Sequence, residues 1–231
     1  MAVAFITGAN RGIGKAIALM MAEMGYALFL LARNEAALTE VAETCKAKGA
    51  SVDYLAGELT DAPYMDRTIQ TALQTFGAID VLVNNAGMGR HDAVQQADLV
   101  AWREVMDINF NAVAYLSKHL LPGMIERKSG TIINISSISG RNTSAGSAIY
   151  SASKHALNGF SGCLYEDVRD YGIKVSTIMP GFVDTDLTQG LGMQSSKMIQ
   201  PQDVADSVRY VLSASPYCCP TEIVLRPQQR P

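Results

Sequence analysis

Two short apolar runs, residues 2–6 (AVAFI) and 27–32 (ALFLLA), flank a stretch at 12–26 whose apolar residues recur at helical spacing. Runs of about five or six apolar residues without polar alternation suit strands buried on both faces, and helices must then cover both sides of the sheet. The same alternation continues along the chain. It predicts a helix near 34–47, a strand near 51–56, a helix near 62–76 and a strand at 79–83. A long helix around 98–124 follows, then a strand at 131–135 and a helix beginning near Ile149. A strand at 173–179, a helix at 201–213 and a last strand at 222–226 complete the series. Seven strands alternating with helices predict an α/β fold, a doubly wound parallel seven-stranded sheet flanked by helices on both faces. With 231 residues, one domain spanning 1–231 is expected. Ligands in such sheets sit beyond the carboxyl ends of the strands, where the strand order reverses.

Composition removes several function classes. The net charge of −3 and scattered Lys and Arg leave no basic stripe for a nucleic acid. No apolar run is long enough for a membrane span and no leader pattern stands at the N-terminus, so a cytoplasmic protein is expected. Cys45, Cys163, Cys218 and Cys219 show no CxxC spacing, and His91, His119 and His155 show no ligand spacing. Free thiols and no metal site are therefore expected.

After the first apolar run comes TGANRGIG, residues 7–14, which leads directly into a helix. Gly8, Gly12 and Gly14 let the backbone turn sharply and approach a pyrophosphate, with Asn10, Arg11 and Ile13 lining the same turn. The free N–H groups and positive end of the helix would meet the phosphate charge. In dinucleotide-binding folds an acidic residue about 20 positions beyond the glycines holds the ribose hydroxyl of NAD. Here the second strand ends in Ala32-Arg33. A guanidinium suits a 2′-phosphate, and Arg11 can press on the same group, so NADP(H) is expected over NAD(H). The competing reading pairs Arg33 with Glu35 on a solvated helix start.

Tyr150 and Lys154 stand four residues apart, so both fall on one face of a helix. With TGANRGIG, NNAG at 84–87, Ser137 and the Pro180-Gly181 pair, they give the chain a pattern that resembles the classical short-chain dehydrogenase/reductase family over essentially its whole length. The resemblance implies a Rossmann fold and hydride transfer between a nicotinamide cofactor and a small ketone, aldehyde or secondary alcohol. It implies Tyr150 as general acid/base and Ser137 as the donor to the carbonyl. Lys154 would bind the nicotinamide ribose and pull the tyrosine pKa down, and Asn109 would interrupt a helix and hold a water in a proton relay to the lysine. Asn85, Ala86 and Gly87 would pass close to the cofactor. Pro180, Gly181, Val183 and Thr185 would close over the nicotinamide. Glu58, followed by Leu59, stands where the family usually places an aspartate against the adenine.

The substrate pocket should be walled by Met88–His91, by Ile138–Asn142 with Ser139, and by the segment from Phe182 onward. In that segment Phe182, Leu187, Leu191 and Met193 could cover an apolar substrate. Arg90 and Arg141 are the cations that could hold a carboxylate. Two alternatives remain: a 3-oxoacyl-carrier-protein reductase, and a sensor that binds NADP(H) without turnover. Family resemblance also implies a homodimer or homotetramer.

Overall fold

A computed structural model of the chain describes residues 1–189 and 192–231. Seven strands form one parallel sheet in the order β3-β2-β1-β4-β5-β6-β7. They are β1 (Val3–Thr7), β2 (Ala27–Ala32), β3 (Val52–Ala56), β4 (Val81–Asn84), β5 (Gly130–Ile135), β6 (Ile173–Pro180) and β7 (Glu222–Leu225). The helices are α1 (Gly12–Glu23), α2 (Glu35–Ala47), α3 (Ala62–Phe76), α4 (Leu99–Met106), α5 (Ala112–Arg127), α6 (Ala148–Val168) and α7 (Pro201–Ser213). The expected order of elements is present throughout.

Strand periodicity sorts the core into two layers. Ala4 and Ile6 of β1, with Leu28 and Leu30 of β2, pack under α1, α2 and α7. Their alternates Val3, Phe5, Ala27, Phe29 and Leu31 pack under α3, α5 and α6. Every residue of β1 and β2 is buried, which is why neither strand shows polar alternation. No helix among the described residues is long and apolar enough to cross a membrane.

The helix expected around 98–124 is broken. Residues Asp107–Asn111 widen into a π-turn between α4 and α5. The cause is Asn109, whose amide turns inward. Its Oδ1 accepts from the Met88 N–H at 2.9 Å, and its Nδ2 donates to Met88 O at 2.9 Å and to Ser153 Oγ at 3.0 Å. A fully buried amide must satisfy both ends, and the widened turn lets it do so.

The chain runs β1, β2, β3 in one direction and then returns to place β4 on the other side of β1. The carboxyl ends of β1 and β4 are therefore the reversal point, and a dense set of bonds joins them. Thr7 Oγ1 accepts the N–H groups of Asn85 and Ala86, each at 3.0 Å. Asn85 Nδ2 donates to the carbonyls of Thr7 at 2.9 Å and Gly8 at 3.2 Å. Gly14 lies so close that a β-carbon there would overlap the Gly8 carbonyl oxygen and stand 2.5 Å from Asn85 Nδ2. Gly14→Ala must push α1 off this junction. We expect a loss of about 3 kcal/mol in urea denaturation; an unchanged midpoint would show that α1 can shift freely.

Candidate active site

α1 begins without a side-chain cap: Arg11 stands at its N-cap position, and no side chain bonds the first-turn N–H groups. Those donors open on a cleft lined by Gly8, Asn10, Arg11, Gly12, Ile13, Gly14, Arg33, Glu58, Leu59, Asn85, Ala86 and Gly87. Such a cradle fits a dinucleotide pyrophosphate, because uncapped helix donors need an anion and the glycine backbone admits one closely. Ile108 of the π-turn and Asp186 also line it. Both escape a motif reading, since neither stands in a recognisable pattern.

At the far end of this cleft the cations have partners. Arg33 lies 3.5 Å from Glu58, where the competing sequence reading had chosen Glu35, and Arg11 pairs with Asp186. All four side chains are about half exposed or more, so each pair contributes little to stability and can be exchanged.

The second cavity adjoins the first and shares Ile13, Asn85, Gly87, Met88, Thr185 and Leu187 with it. Ser137, Ser139, Tyr150, Lys154, Pro180, Gly181, Phe182 and Val183 also line it. Ser137 follows β5 and caps a short 3-10 turn, its Oγ accepting from Ser139 N at 3.1 Å. Tyr150 and Lys154 stand one turn apart on α6. That helix is fastened to the sheet by a buried chain from Asn84 to Asn134 (2.8 Å), to Ser161 Oγ (2.8 Å) and to Leu157 O (2.7 Å).

The structure thus gathers nearly every expected residue along one continuous cleft at the reversal point. Asn109 lies behind it: its two amide hydrogens are used on Met88 O and Ser153 Oγ, and its Oδ1 accepts from the Met88 N–H. Met193 is not among the lining residues. Leu191 lies outside the described residues. Arg90 pairs with Asp92 at 2.9 Å and Arg141 with Glu222, and neither guanidinium lines the cavity.

Comparison with known proteins agrees with this geometry. The family model for short chain dehydrogenase matches residues 2–196. The chain belongs to the short-chain dehydrogenase family. An uncharacterized oxidoreductase of Staphylococcus aureus is 36% identical over 225 residues, covering 97% of this chain and 96% of the relative. A metagenomic short-chain oxidoreductase solved in complex with NADP superposes with a TM-score of 0.87 at 31% identity, covering 99% of this chain and 98% of the other. An alcohol dehydrogenase from the archaeon Thermococcus sibiricus, solved with 5-hydroxy-NADP, gives 0.92 at 29% identity, covering 100% and 99%.

Two titrating groups of the cavity are shifted by burial. Burial pushes the Tyr150 phenol up from its ordinary value, opposed by the Ser137 hydroxyl. Lys154 is the second. Only 4% exposed, its ammonium donates to Ile135 O at 3.0 Å and sits 5.9 Å from the tyrosine ring centre. Burial takes the amine down to about 8.

A depressed lysine makes a testable demand on stability. Between pH 8 and 10.5 the unfolded chain binds more protons at this site than the folded one, so the folded state gains stability as pH rises through that window. Below it the full burial cost of the charge applies. Lys154→Met should therefore raise stability at pH 7 by about 1–3 kcal/mol, even with the Ile135 bond lost. The gain should vanish above pH 10.5. Urea melts at pH 7 and pH 10.5 check this, and a variant destabilised at pH 7 would contradict it.

Proposed function

We propose that this short-chain dehydrogenase is an NADPH-dependent reductase of small, uncharged carbonyl compounds, with Tyr150 as general acid/base. The observation that carries the proposal is the meeting of Ser137, Tyr150 and Lys154 in one largely apolar cavity, continuous with the glycine turn at the reversal point. Its volume is about 160 Å³, which suits a small substrate beside the nicotinamide ring. Among the described residues the only charged side chain lining it is Lys154, which is bonded to Ile135 O and assigned to the ribose, so no free cation is left for a substrate carboxylate.

When bound, the reduced nicotinamide supplies a hydride to the carbonyl carbon. Tyr150 donates its phenolic proton to the carbonyl oxygen, and the Ser137 hydroxyl donates a hydrogen bond to the same atom. Burial that raises the phenol keeps it protonated at neutral pH, the state a proton donor needs. Lys154 lies one turn deeper, placed to meet ribose hydroxyls. Asn109 acts as a positioning residue: it holds the Met88 backbone beside Gly87, where a β-carbon would lie 3.6 Å from Lys154 Nζ. Pro180, Gly181, Val183 and Thr185 form the wall over the nicotinamide position. Arg33 and Arg11 support NADPH, because each can exchange its carboxylate partner for a doubly charged phosphate. The metagenomic relative, solved with NADP, supports the same choice.

Absorbance assays with NADPH and NADH over a panel of ketones, diketones, keto acids and aldehydes test the reading. Tyr150→Phe should abolish turnover while NADPH binding persists; tight NADPH binding without wild-type turnover on any carbonyl would favour a sensor. Arg33→Ala should lower kcat/KM for NADPH by about 10- to 100-fold, the worth of a charged hydrogen bond, and leave the NADH value nearly unchanged. Equal losses with both cofactors would remove Arg33 from the 2′-phosphate site. Because the Ser137 bond holds the Tyr150 phenol down against burial, Ser137→Ala should move the alkaline limb of the residual reduction rate to higher pH. A limb that stays or falls would remove Tyr150 as its origin.

A further inference from the structure

Most polar side chains around the substrate cavity are already committed. Asn85 donates to the Thr7 and Gly8 carbonyls, and Ser136 donates to Asn158 Oδ1 at 2.6 Å. Lys154 donates to Ile135 O, and Thr188 Oγ1 donates to the carbonyls of Val183 and Thr185. Ser137 and Tyr150 are spent on the reacting carbonyl in the mechanism above. Ser139 and His91 remain, unused in that mechanism, and of the two only His91 has its side chain fixed by a hydrogen bond among the described residues.

Its ring is held in place. Nδ1 lies 3.1 Å from the Oγ of Ser147, the buried N-cap residue of α6, and Ser144 Oγ donates to that same oxygen at 3.0 Å. The clamp thus ties the imidazole to the helix that carries Tyr150, with ring centres 6.1 Å apart and planes inclined by 52°. The other nitrogen looks toward Gly89 and Leu187. A β-carbon on Gly89 would lie 3.8 Å from His91 Nε2 and 3.2 Å from Leu187 Cδ1, so glycine keeps that side of the ring free of a side chain of its own. Among the described residues Nε2 has no protein partner.

We propose that His91 determines substrate specificity: its Nε2 hydrogen-bonds a second oxygen of the substrate, so the cavity prefers ketones bearing a hydroxyl or carbonyl oxygen next to the reacting group. This rests on the reductase reading above. A neutral imidazole whose Nδ1 can either accept from or donate to a serine hydroxyl offers Nε2 as donor in one tautomer and acceptor in the other. It therefore serves a neighbouring carbonyl or a neighbouring hydroxyl. A plain alkyl ketone would leave this nitrogen facing an apolar chain, and sites built around a hydrogen bond reject analogues that lack it.

The test compares kcat/KM with NADPH for butan-2-one, 3-hydroxybutan-2-one and butane-2,3-dione, using wild type, His91→Phe, His91→Gln and Ser147→Ala. In wild type the two dioxygenated ketones should exceed butan-2-one by about tenfold or more. His91→Phe should collapse the 3-hydroxybutan-2-one to butan-2-one ratio toward one, mainly through KM. His91→Gln, which keeps a donor and an acceptor, should restore part of it, and Ser147→Ala, which frees the ring, should lower it. A ratio that survives His91→Phe overturns the assignment, as does a wild type that treats the hydroxyketone and butan-2-one alike. Tight NADPH binding with no ketone turned over by wild type would instead overturn the reductase reading and this inference with it, so the two failures are told apart.

Discussion

The close junction of the turn after β1 with the turn after β4 is the constraint on which the rest of this molecule depends. Two parallel strands that leave in opposite directions at the reversal point would splay their loops unless something ties them. Here Thr7 and Asn85 supply side-chain bonds in both directions, and Gly14 lets α1 start within contact of the Gly8 carbonyl. The consequence is chemical as well as mechanical. With α1 held there, its uncapped N-terminal donors point into the cleft instead of into solvent, and the cofactor cradle is a by-product of the packing.

The opposite wall of the cleft carries a cost. α6 brings Lys154 into the interior, where burial depresses its amine, and one carbonyl of β5 is its partner. Such an arrangement lowers stability at neutral pH. It persists because the buried Asn84, Asn134 and Ser161 chain anchors α6 on the same strands independently of the lysine. Each amide in that chain has its partner, so the polar core strengthens the attachment instead of weakening it. Fold and site are thus partly opposed here: the asparagines stabilise the helix position that makes the ammonium expensive.

Sequence legibility follows from how local each feature is. The succession of strands and helices was readable because buried parallel strands are uniformly apolar and the helices between them are periodic. The glycine turn, Ser137, Tyr150 and Lys154 were readable because spacing along one strand end or one helix face fixes their geometry. What failed was non-local. No spacing shows that the Asn109 amide bonds the backbone of Met88, twenty-one residues away; the interruption of the long helix there came only from the family resemblance. Arg33 finds Glu58 across a strand pair where the nearer Glu35 looked adequate in one dimension. Met193 carried an apolar side chain on the right segment, but the covering positions went to Phe182 and Leu187.

The segment from Phe182 to Gln189 joins these separate features. It leaves β6 along the cavity lined by Ser137 and Tyr150, places Thr185 and Leu187 on the boundary between the two cavities, and sends Asp186 to Arg11 in the glycine turn. Leu187 rests where Gly89 has no side chain, beside His91. One short stretch therefore touches the glycine turn, the boundary between the two cavities and the rim beside His91. Its hold on the turn is a half-exposed ion pair, the weakest kind of tie, while its root at Val183 is buried and bonded to Ile199 through a strand-like bridge. A segment fixed at its root by strand-like bonds and held at its far side by an exposed ion pair can shift at Arg11 without disturbing the sheet beneath it. The glycine turn and the wall of the second cavity are in that sense joined by one element.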